Sequence, residues 1–338
     1  MAQNFSNIEF PSPYLVYLGD ATAEDYTKTG FGIADWAPKK ALAECRTHEN
    51  TVTTGLPQMT VTEAASAGAK SLIIGVAGLG GKIPKSWQND LLEAVSLGMN
   101  IISGAHEKLA TIEGLTEAAE KSGAQLIEVR TPAPSYPIAT GIKRSGKRLL
   151  TVGTDCALGK KYTALSITKE MKLRGRSARF RATGQTGIMI AGGGIPIDSV
   201  VSDFIAGAAE ELTPNTAADH WDIIEGQGSL IHPGYAAVTL GLLHGSQPDE
   251  IILCHDGRTH NADSPHIEIP PLHEVIDMYL MMGRLTNPNI RCRGIALNTK
   301  GLSIMERAFI LAKTREETGL ITFDPVATGV GEYVDILD

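Results

Sequence analysis

Short apolar runs alternate with helix-like segments along the first half of the chain. Four of these runs predict buried strands, at residues 14–18, at the start of 71–81, at 100–104 and at 125–129. Three stretches between them predict helices, at residues 61–69, 86–98 and 115–121. Ser86 is the predicted N-cap of the second helix, and Gly98 is its stop signal. This alternation predicts a parallel sheet with right-handed crossovers.

The second half continues the same alternation. Its predicted strands lie at residues 149–152, 178–182, 221–225, 252–256 and 293–299, and its predicted helices at 162–174 and 199–212. Residues 131–147 carry three prolines and a basic end, so they are the best candidate for a linker. The chain is therefore predicted to be α/β, with a Rossmann-like N-terminal parallel-sheet domain (1–147) and a P-loop NTPase-like C-terminal parallel-sheet domain (148–338).

The glycine clusters of the first half do not form a dinucleotide fingerprint. The pair Gly30 and Gly32 lacks the third glycine, and the glycines between Gly75 and Gly81 have neither the required spacing nor the later ribose-binding acid. We interpret both clusters as tight turns of an α/β domain. The alternative is a loop at Gly78–Gly81 that closes over a ligand.

The stretch Leu149–Ser166 carries the strongest chemical signal. An apolar run meets the glycine-flanked turn Gly153–Gly159, and Lys160 and Lys161 follow before a predicted helix. P-loops hold phosphate with this order of strand, loop, lysine and helix, because loop N–H groups and the helix dipole both face the anion. The spacing is Gly-x5-Gly-Lys, one residue longer than usual, and Lys161 stands where a hydroxyl normally binds Mg²⁺. The pattern predicts a phosphate site that is unlike that of an ATPase.

Polar residues follow the predicted strands of the second half, where a parallel sheet collects its ligands. These residues are Asp155, Gln185, Glu225, His255, Asp256 and Asn298. Glu225 has the position of a Walker-B-type acid and could hold Mg²⁺, orient a water or act as a base. Asp155 lies inside the phosphate loop, where it would repel phosphate unless a metal or a lysine intervenes. His255 and Asp256 are neighbours on a strand, so only one of them is expected to enter the site.

Other candidate chemistries are weaker. His260, Asp263 and His266 lack cysteine partners and an HExxH helix, so no metal site is predicted. Cys156 is interpreted as a small buried thiol rather than a nucleophile. Ser229 and His232 lack a Gly-x-Ser-x-Gly elbow, and His232 is interpreted as a turn residue.

Composition narrows the class of protein and its partners. With 43% hydrophobic and 20% charged residues, the chain of 338 residues can bury the core of an ordinary globular protein. A net charge of −8 disfavours nucleic acid or an anionic membrane as a partner but permits anionic small molecules. Four unpaired cysteines, the lack of a signal-peptide pattern and the lack of a membrane-length apolar run predict a cytoplasmic protein. A homo-oligomer is expected because metabolic enzymes commonly form one.

Several long runs resemble the D-glutamate N-acetyltransferase family across essentially the whole chain. They are GVAGLGGKIP, IISGAHEKL, TVGTDCALGKK, ATGQTGIMIAGGG, WDIIEGQGSLIHPGY, VTLGLLHGSQPD, ILCHD and ALNT. The loop GTDCALGK, the acid in IIEGQGS and the asparagine of ALNT are also more distantly similar to dethiobiotin synthetase, which uses ATP and Mg²⁺.

The family resemblance implies transfer of acetyl from acetyl-CoA to the amino group of D-glutamate. The implied cofactor-binding residues are Gly153, Thr154, Asp155, Cys156, Ala157, Leu158, Gly159, Lys160, Lys161, Tyr162 and Asn298. The candidate catalytic residues are Glu225, Asp256, His255 and Asp155, and the candidate substrate-binding residues are Arg181, Gln185, Gln227 and Arg258. Glu225 and Asp256 are equal candidates for the base. Two alternatives stay open: an ATP- and Mg²⁺-dependent ligase or kinase, and a nucleotide-sensing protein without catalysis.

Overall fold

The computed structural model describes residues 10–77, 79–133, 135–258 and 267–337. The contacts divide these residues into two compact units. The first comprises residues up to 132 together with 185–196, and the second comprises 133–184 and 197 onward. The domain boundary after residue 147 stays a prediction. Gly78 and the polar loop with His260, Asp263 and His266 lie outside the described residues.

The first unit is built on one parallel sheet of five strands. The strands are β1 (Tyr14–Gly19), β2 (Ala41–Arg46), β3 (Ser71–Ile74), β4 (Asn100–Ser103) and β5 (Leu126–Glu128), in the order β2-β1-β3-β4-β5. The helices of this unit are α1 (Lys28–Trp36), α2 (Val61–Ser66), α3 (Gln88–Ser96), α4 (Leu115–Ser122) and α6 (Gln185–Ala191). Every residue of β1 is buried, as expected for a central strand of a sheet covered on both faces. This Rossmann-like architecture confirms the predicted fold class.

Two details of the first unit differ from the sequence prediction. β2 was not predicted because the charged residue Glu44 interrupts its apolar run. Glu44 is nonetheless fully buried, since its carboxylate accepts hydrogen bonds from Thr53 Oγ1 at 2.6 Å and from the Thr54 N–H at 2.7 Å. Ser86 is not the N-cap of α3, which has Trp87 in that position. The Ser86 hydroxyl instead donates to Asp20.

Helix α6 packs at the carboxyl end of the first sheet. A Cβ added to Gly104, just past β4, would lie 2.7 Å from Gln185 Cγ. Arg130, just past β5, donates to Gln185 Oε1 at 2.8 Å, and the hydroxyls of Thr29 and Thr186 lie 2.8 Å apart. Protein side chains therefore lie at the edge where a Rossmann sheet usually meets its ligand. This packing agrees with the absence of a dinucleotide fingerprint from the sequence.

The second unit is built on a parallel sheet of six strands, in the order β11-β10-β9-β6-β8-β7. They are β6 (Lys147–Gly153), β7 (Ala178–Arg181), β8 (Trp221–Ile224), β9 (Glu250–Asp256), β10 (Arg291–Asn298) and β11 (Ile321–Phe323). The helices are α5 (Lys160–Leu173), α7 (Ile205–Leu212), α8 (Ala236–Ser246), α9 (Leu272–Gly283), α10 (Ile304–Thr318) and α11 (Gly331–Asp335). β6 lies between β8 and β9, so the segment that follows it lies near the middle of the carboxyl edge.

The helix predicted over 199–212 is wrong in its first half. That half forms two 3-10 turns, Ile197–Ser199 and Ser202–Phe204, and regular helix begins only at Ile205. Ser and Asp side chains in these turns compete for backbone hydrogen bonds, which favours turns over helix.

Candidate functional site

The loop between β6 and α5 has the backbone that a tight phosphate cradle requires. Gly159, the N-cap of α5, has φ +99°, and a Cβ at Gly153 would lie 3.0 Å from both the Asp155 carbonyl oxygen and Lys160 Nζ. Ala157 has φ +56°, which is uncommon for a residue with a side chain. The loop thus holds a conformation that it would not adopt by backbone preference alone.

Neighbouring strands and helices fix the base of the loop. The Thr154 N–H donates to the Cys254 carbonyl at 3.1 Å, and the Thr154 hydroxyl lies 2.9 Å from His255 Nδ1. The Tyr279 hydroxyl donates to the Gly153 carbonyl at 2.8 Å. Burial raises the pKa of Tyr279 to about 12, so the phenol keeps the proton that this bond needs. No sequence motif pointed to Tyr279, which lies more than a hundred residues from the loop.

The two lysines after the loop have different environments. Lys160 is 7% exposed, and its ammonium donates to the Asp155 carbonyl at 2.6 Å. Burial lowers the pKa of Lys160, and the nearby acidic groups and thiols only partly oppose that shift. Lys161 lies with its ammonium 5.2 Å from the centre of the Tyr162 ring. Both cations belong to the first turn of α5, where the helix dipole also favours an anion.

Glu225 directly follows β8 and is 4% exposed. Its Oε2 accepts hydrogen bonds from the N–H groups of Thr183 and Gly184, each at 3.0 Å. Burial raises the pKa of Glu225, although the charge of Lys161 and the two N–H groups act in the opposite direction. A buried carboxylate with a raised pKa beside a phosphate loop is a suitable proton acceptor near neutral pH.

His255 and Asp256 end β9, and each is 8% exposed. Asp256 is bound to Arg258, whose Nε and N–H donate to Oδ1 at 2.8 and 2.9 Å. Burial would raise the pKa of Asp256, but the hydrogen bonds and charge of Arg258 outweigh burial and lower it. Asp256 is therefore the weaker proton acceptor of the two carboxylates. Asn298, at the end of β10, accepts a bond from the Lys300 N–H through Oδ1.

The other candidate substrate residues are dispersed. Arg181, at the end of β7, donates to the buried Asp222 at 2.6 Å. Gln227 donates to the Thr183 hydroxyl at 3.1 Å, close to Glu225. Gln185 begins α6 and belongs to the first unit. The catalytic, cofactor-binding and substrate-binding roles of the predicted residues stay predictions.

His232, interpreted from the sequence as a turn residue near the ligand edge of the sheet, does lie in a turn, and the structure brings it beside the loop. A ligand atom of His232 lies within 4.8 Å of ligand atoms of Asp155 and Cys156. His232 comes from the turn that precedes α8, and the separation in sequence leaves no local pattern that could reveal this proximity. The thiol of Cys156 is partly exposed rather than buried, which corrects its interpretation as a small buried thiol.

Taken together, the second unit offers a phosphate-sized loop, two cations, and carboxylate, imidazole and thiol groups around it. Such a site can bind a phosphorylated ligand and transfer a proton. Among the described residues, none of the helices has the length and apolar character needed to cross a bilayer.

Comparisons with known proteins agree with this architecture. Residues 40–132 match the DUF1611_N Rossmann-like domain, and residues 137–334 match the DUF1611_C P-loop domain, both described as domains of unknown function. A crystal structure of a DUF1611 family protein from Anabaena variabilis has a TM-score of 0.87 and 34% identity, covering 96% of this chain and 98% of that one.

Two curated relatives are each named D-glutamate N-acetyltransferase. The protein from Tritonibacter scottomollicae is 46% identical over 96% of this chain and 98% of its own length. The protein from a Pseudoalteromonas species is 43% identical over 97% of this chain and 99% of its own length. The chain therefore belongs to the DUF1611 family, together with these curated relatives, as the resemblance of its motifs predicted.

Proposed function

We propose that this protein transfers the acetyl group of acetyl-CoA to the amino group of D-glutamate. The observation that carries the proposal is the identity of 46% and 43% to proteins named for this activity, over nearly the full length of each chain. The enzyme class, an N-acetyltransferase, follows from the same relatives. The acetyl donor and the role of the loop are inferred from the chemistry of the site.

Coenzyme A carries a diphosphate, which is a suitable ligand for the loop between β6 and α5. The first turn of α5 supplies N–H groups and dipole, and Lys160 and Lys161 supply positive charge. Lys161 replaces the hydroxyl that would bind Mg²⁺ in an ATPase, so this anchor uses charged side chains instead. We therefore assign the loop to the phosphates of coenzyme A.

The amine of D-glutamate must lose a proton to attack a thioester. In the proposed reaction, Glu225 accepts one proton from the ammonium group, the freed amine nitrogen bonds to the acetyl carbon, and the carbon–sulfur bond breaks. The second proton that the nitrogen loses passes to the sulfur, so coenzyme A leaves as a thiol. The raised pKa of Glu225 favours it over Asp256, which Arg258 keeps ionised.

The direct test incubates the purified full-length protein with acetyl-CoA and D-glutamate and measures N-acetylglutamate by mass spectrometry. We expect product with D-glutamate, less with L-glutamate, and none without protein. Replacement of Glu225 by Gln should lower kcat by about 100-fold or more while KM for acetyl-CoA changes little, because the base acts in the chemical step. Absence of product at high enzyme concentration would refute the proposed activity.

A further inference from the structure

The side chains of Asp155, Cys156 and His232 form a cluster to which the proposed acetyl transfer assigns no chemical step. Their carboxylate oxygen, thiol sulfur and imidazole nitrogen all lie within 4.8 Å of one another. Asp155 is 3% exposed, whereas Cys156 and His232 are half-buried, so the cluster faces a partly open space. Asp155 and Cys156 come from the loop after β6, and His232 comes from the turn after β8.

The donor set identifies the class of ion. Thiolate and imidazole bind borderline-soft cations such as Zn²⁺ and Co²⁺, whereas Mg²⁺ and Ca²⁺ prefer oxygen ligands alone. Three protein ligands leave one position of a tetrahedral ion open, which is the pattern of sites that bind an exogenous ligand.

A second observation comes from the charge of the loop. The Asp155 carboxylate belongs to the loop between β6 and α5 and accepts the Cys156 N–H at 2.6 Å. The ammonium of Lys160 donates to the main-chain oxygen of Asp155 and also acts on the carboxylate through its charge. Like charges at about 4 Å repel each other, and the repulsion grows as water is excluded. A divalent cation on the carboxylate would convert this repulsion into attraction for a phosphate oxygen. The attraction for phosphate rests on the proposed function, whereas the choice of ion from the donor set does not.

Metal binding requires only a small closure of the cluster. Ligand atoms of a tetrahedral zinc site are separated by about 3.3–3.8 Å, so atoms that lie within 4.8 Å of one another need to approach by no more than about 1–1.5 Å. His232 Nδ1 accepts the Gly234 N–H at 3.0 Å, and its ring stacks on Tyr235 at 4.5 Å. A metal on Nδ1 would displace the Gly234 bond, and a metal on Nε2 would place the ring proton on Nδ1. Either mode moves the Gly234 turn and leaves the stacking in place.

We propose that Asp155, Cys156 and His232 form a binding site for one divalent, borderline-soft cation, whose open position takes a phosphate oxygen of the ligand held by the loop. The site lies on the P-loop unit and uses two elements that follow neighbouring strands. The cation neutralises the carboxylate of the loop and holds the phosphate group.

Cobalt titration of the metal-stripped full-length protein tests the site without reference to activity. We expect one Co²⁺ per chain, with a thiolate-to-cobalt band in the near ultraviolet and the visible bands of tetrahedral Co²⁺. Cys156→Ser should remove the thiolate band, whereas Cys292→Ser, which changes another half-buried thiol of the same unit, should keep it. His232→Gln should weaken Co²⁺ binding at least tenfold, whereas His48→Gln, at an exposed histidine, should not. Circular dichroism establishes that each variant is folded.

Two results would overturn the proposal: no thiolate-to-cobalt band, or a band that survives Cys156→Ser. The open position is tested by adding coenzyme A or pantetheine to the cobalt form, since pantetheine has the arm but no diphosphate. Coenzyme A alone should change the visible bands, and equal changes with both compounds would refute phosphate ligation. Acetyl transfer is measured separately. Cobalt binding without formation of N-acetylglutamate would refute only the activity, and formation of N-acetylglutamate without cobalt binding would refute only the metal site.

Discussion

Lys160 combines a contact within the fold with the phosphate-binding role that we propose for it. Its ammonium is buried and donates to the Asp155 carbonyl, so the charge that holds the loop is also the one proposed to bind phosphate. Burial lowers the pKa of Lys160, and an anion bound beside it would raise that pKa again by stabilising the ammonium form. Ligand binding and protonation of this lysine should therefore reinforce each other.

Replacement of Lys160 by Met should weaken acetyl-CoA binding by about 10- to 100-fold, because a charge-assisted hydrogen bond is worth about 1.5–3 kcal/mol. Isothermal calorimetry measures the change. Lys172→Met, at the last turn of the same helix, is the matched control and should bind as the unmodified protein does. Full affinity in Lys160→Met would contradict the phosphate role of the loop.

The buried carboxyl group of Glu225 should make the free energy of unfolding depend on pH. Its folded-state pKa is raised, so the unfolded chain ionises first as pH rises, and the contribution of this group to stability is lost above the ordinary Glu range. Glu225→Gln should therefore be more stable than the unmodified protein at pH 8, with a smaller difference near pH 5. Urea unfolding at the two pH values measures the difference.

Glu306 provides a control of opposite sign for that measurement. Hydrogen bonds from the side chain and backbone of Ser303 lower the pKa of Glu306 in the capping box of α10. Glu306→Gln should be less stable than the unmodified protein at pH 8 and at pH 5, and this difference should disappear only below the ordinary Glu range, as pH falls through the lowered folded-state pKa. Equal behaviour of the two variants would mean that burial does not set the pKa of Glu225.

At the level of secondary structure, the contact between β8 and β6 depends on the absence of one side chain. A Cβ on Gly226, in the turn after β8, would lie 1.6 Å from the Thr151 carbonyl oxygen, so Gly226→Ala must displace this turn from β6. We expect a loss of at least about 2 kcal/mol in the free energy of unfolding. Gly257→Ala, with its nearest atoms at 3.6 Å, should stay within about 0.5 kcal/mol. Similar losses in both variants would contradict this explanation.

Features formed by one continuous segment of the chain could be predicted from the sequence, and features formed by distant segments could not. Strand, loop and helix of the candidate phosphate site lie within one short stretch, so their order alone indicated the loop. No local pattern revealed the contact of Tyr279 with the loop or the grouping of His232 with Asp155 and Cys156, because both depend on how distant segments pack. β2 was not predicted because its sequence contains the charged residue Glu44, which is buried in the fold by its hydrogen-bond partners.

Over the whole molecule, the ligand should stabilise the P-loop unit. A ligand present at 100 times its Kd adds about 2.7 kcal/mol to the stability of the state that binds it. Acetyl-CoA should therefore raise the thermal transition of this unit without added Mg²⁺, and ATP should not. Calorimetry with both nucleotides measures this, and stabilisation by ATP only in the presence of Mg²⁺ would favour the ligase alternative.

The position of α6 has a consequence for how the chain can be divided. Residues 185–196 follow the P-loop sequence along the chain, yet they pack at the edge of the first sheet against Gly104 and Arg130. No single cut can therefore release the first unit intact. A fragment that ends at the linker would expose to water the apolar surface that Ile188 and Met189 cover. A synthetic peptide of residues 185–196 should bind to this surface and restore the solubility of the fragment.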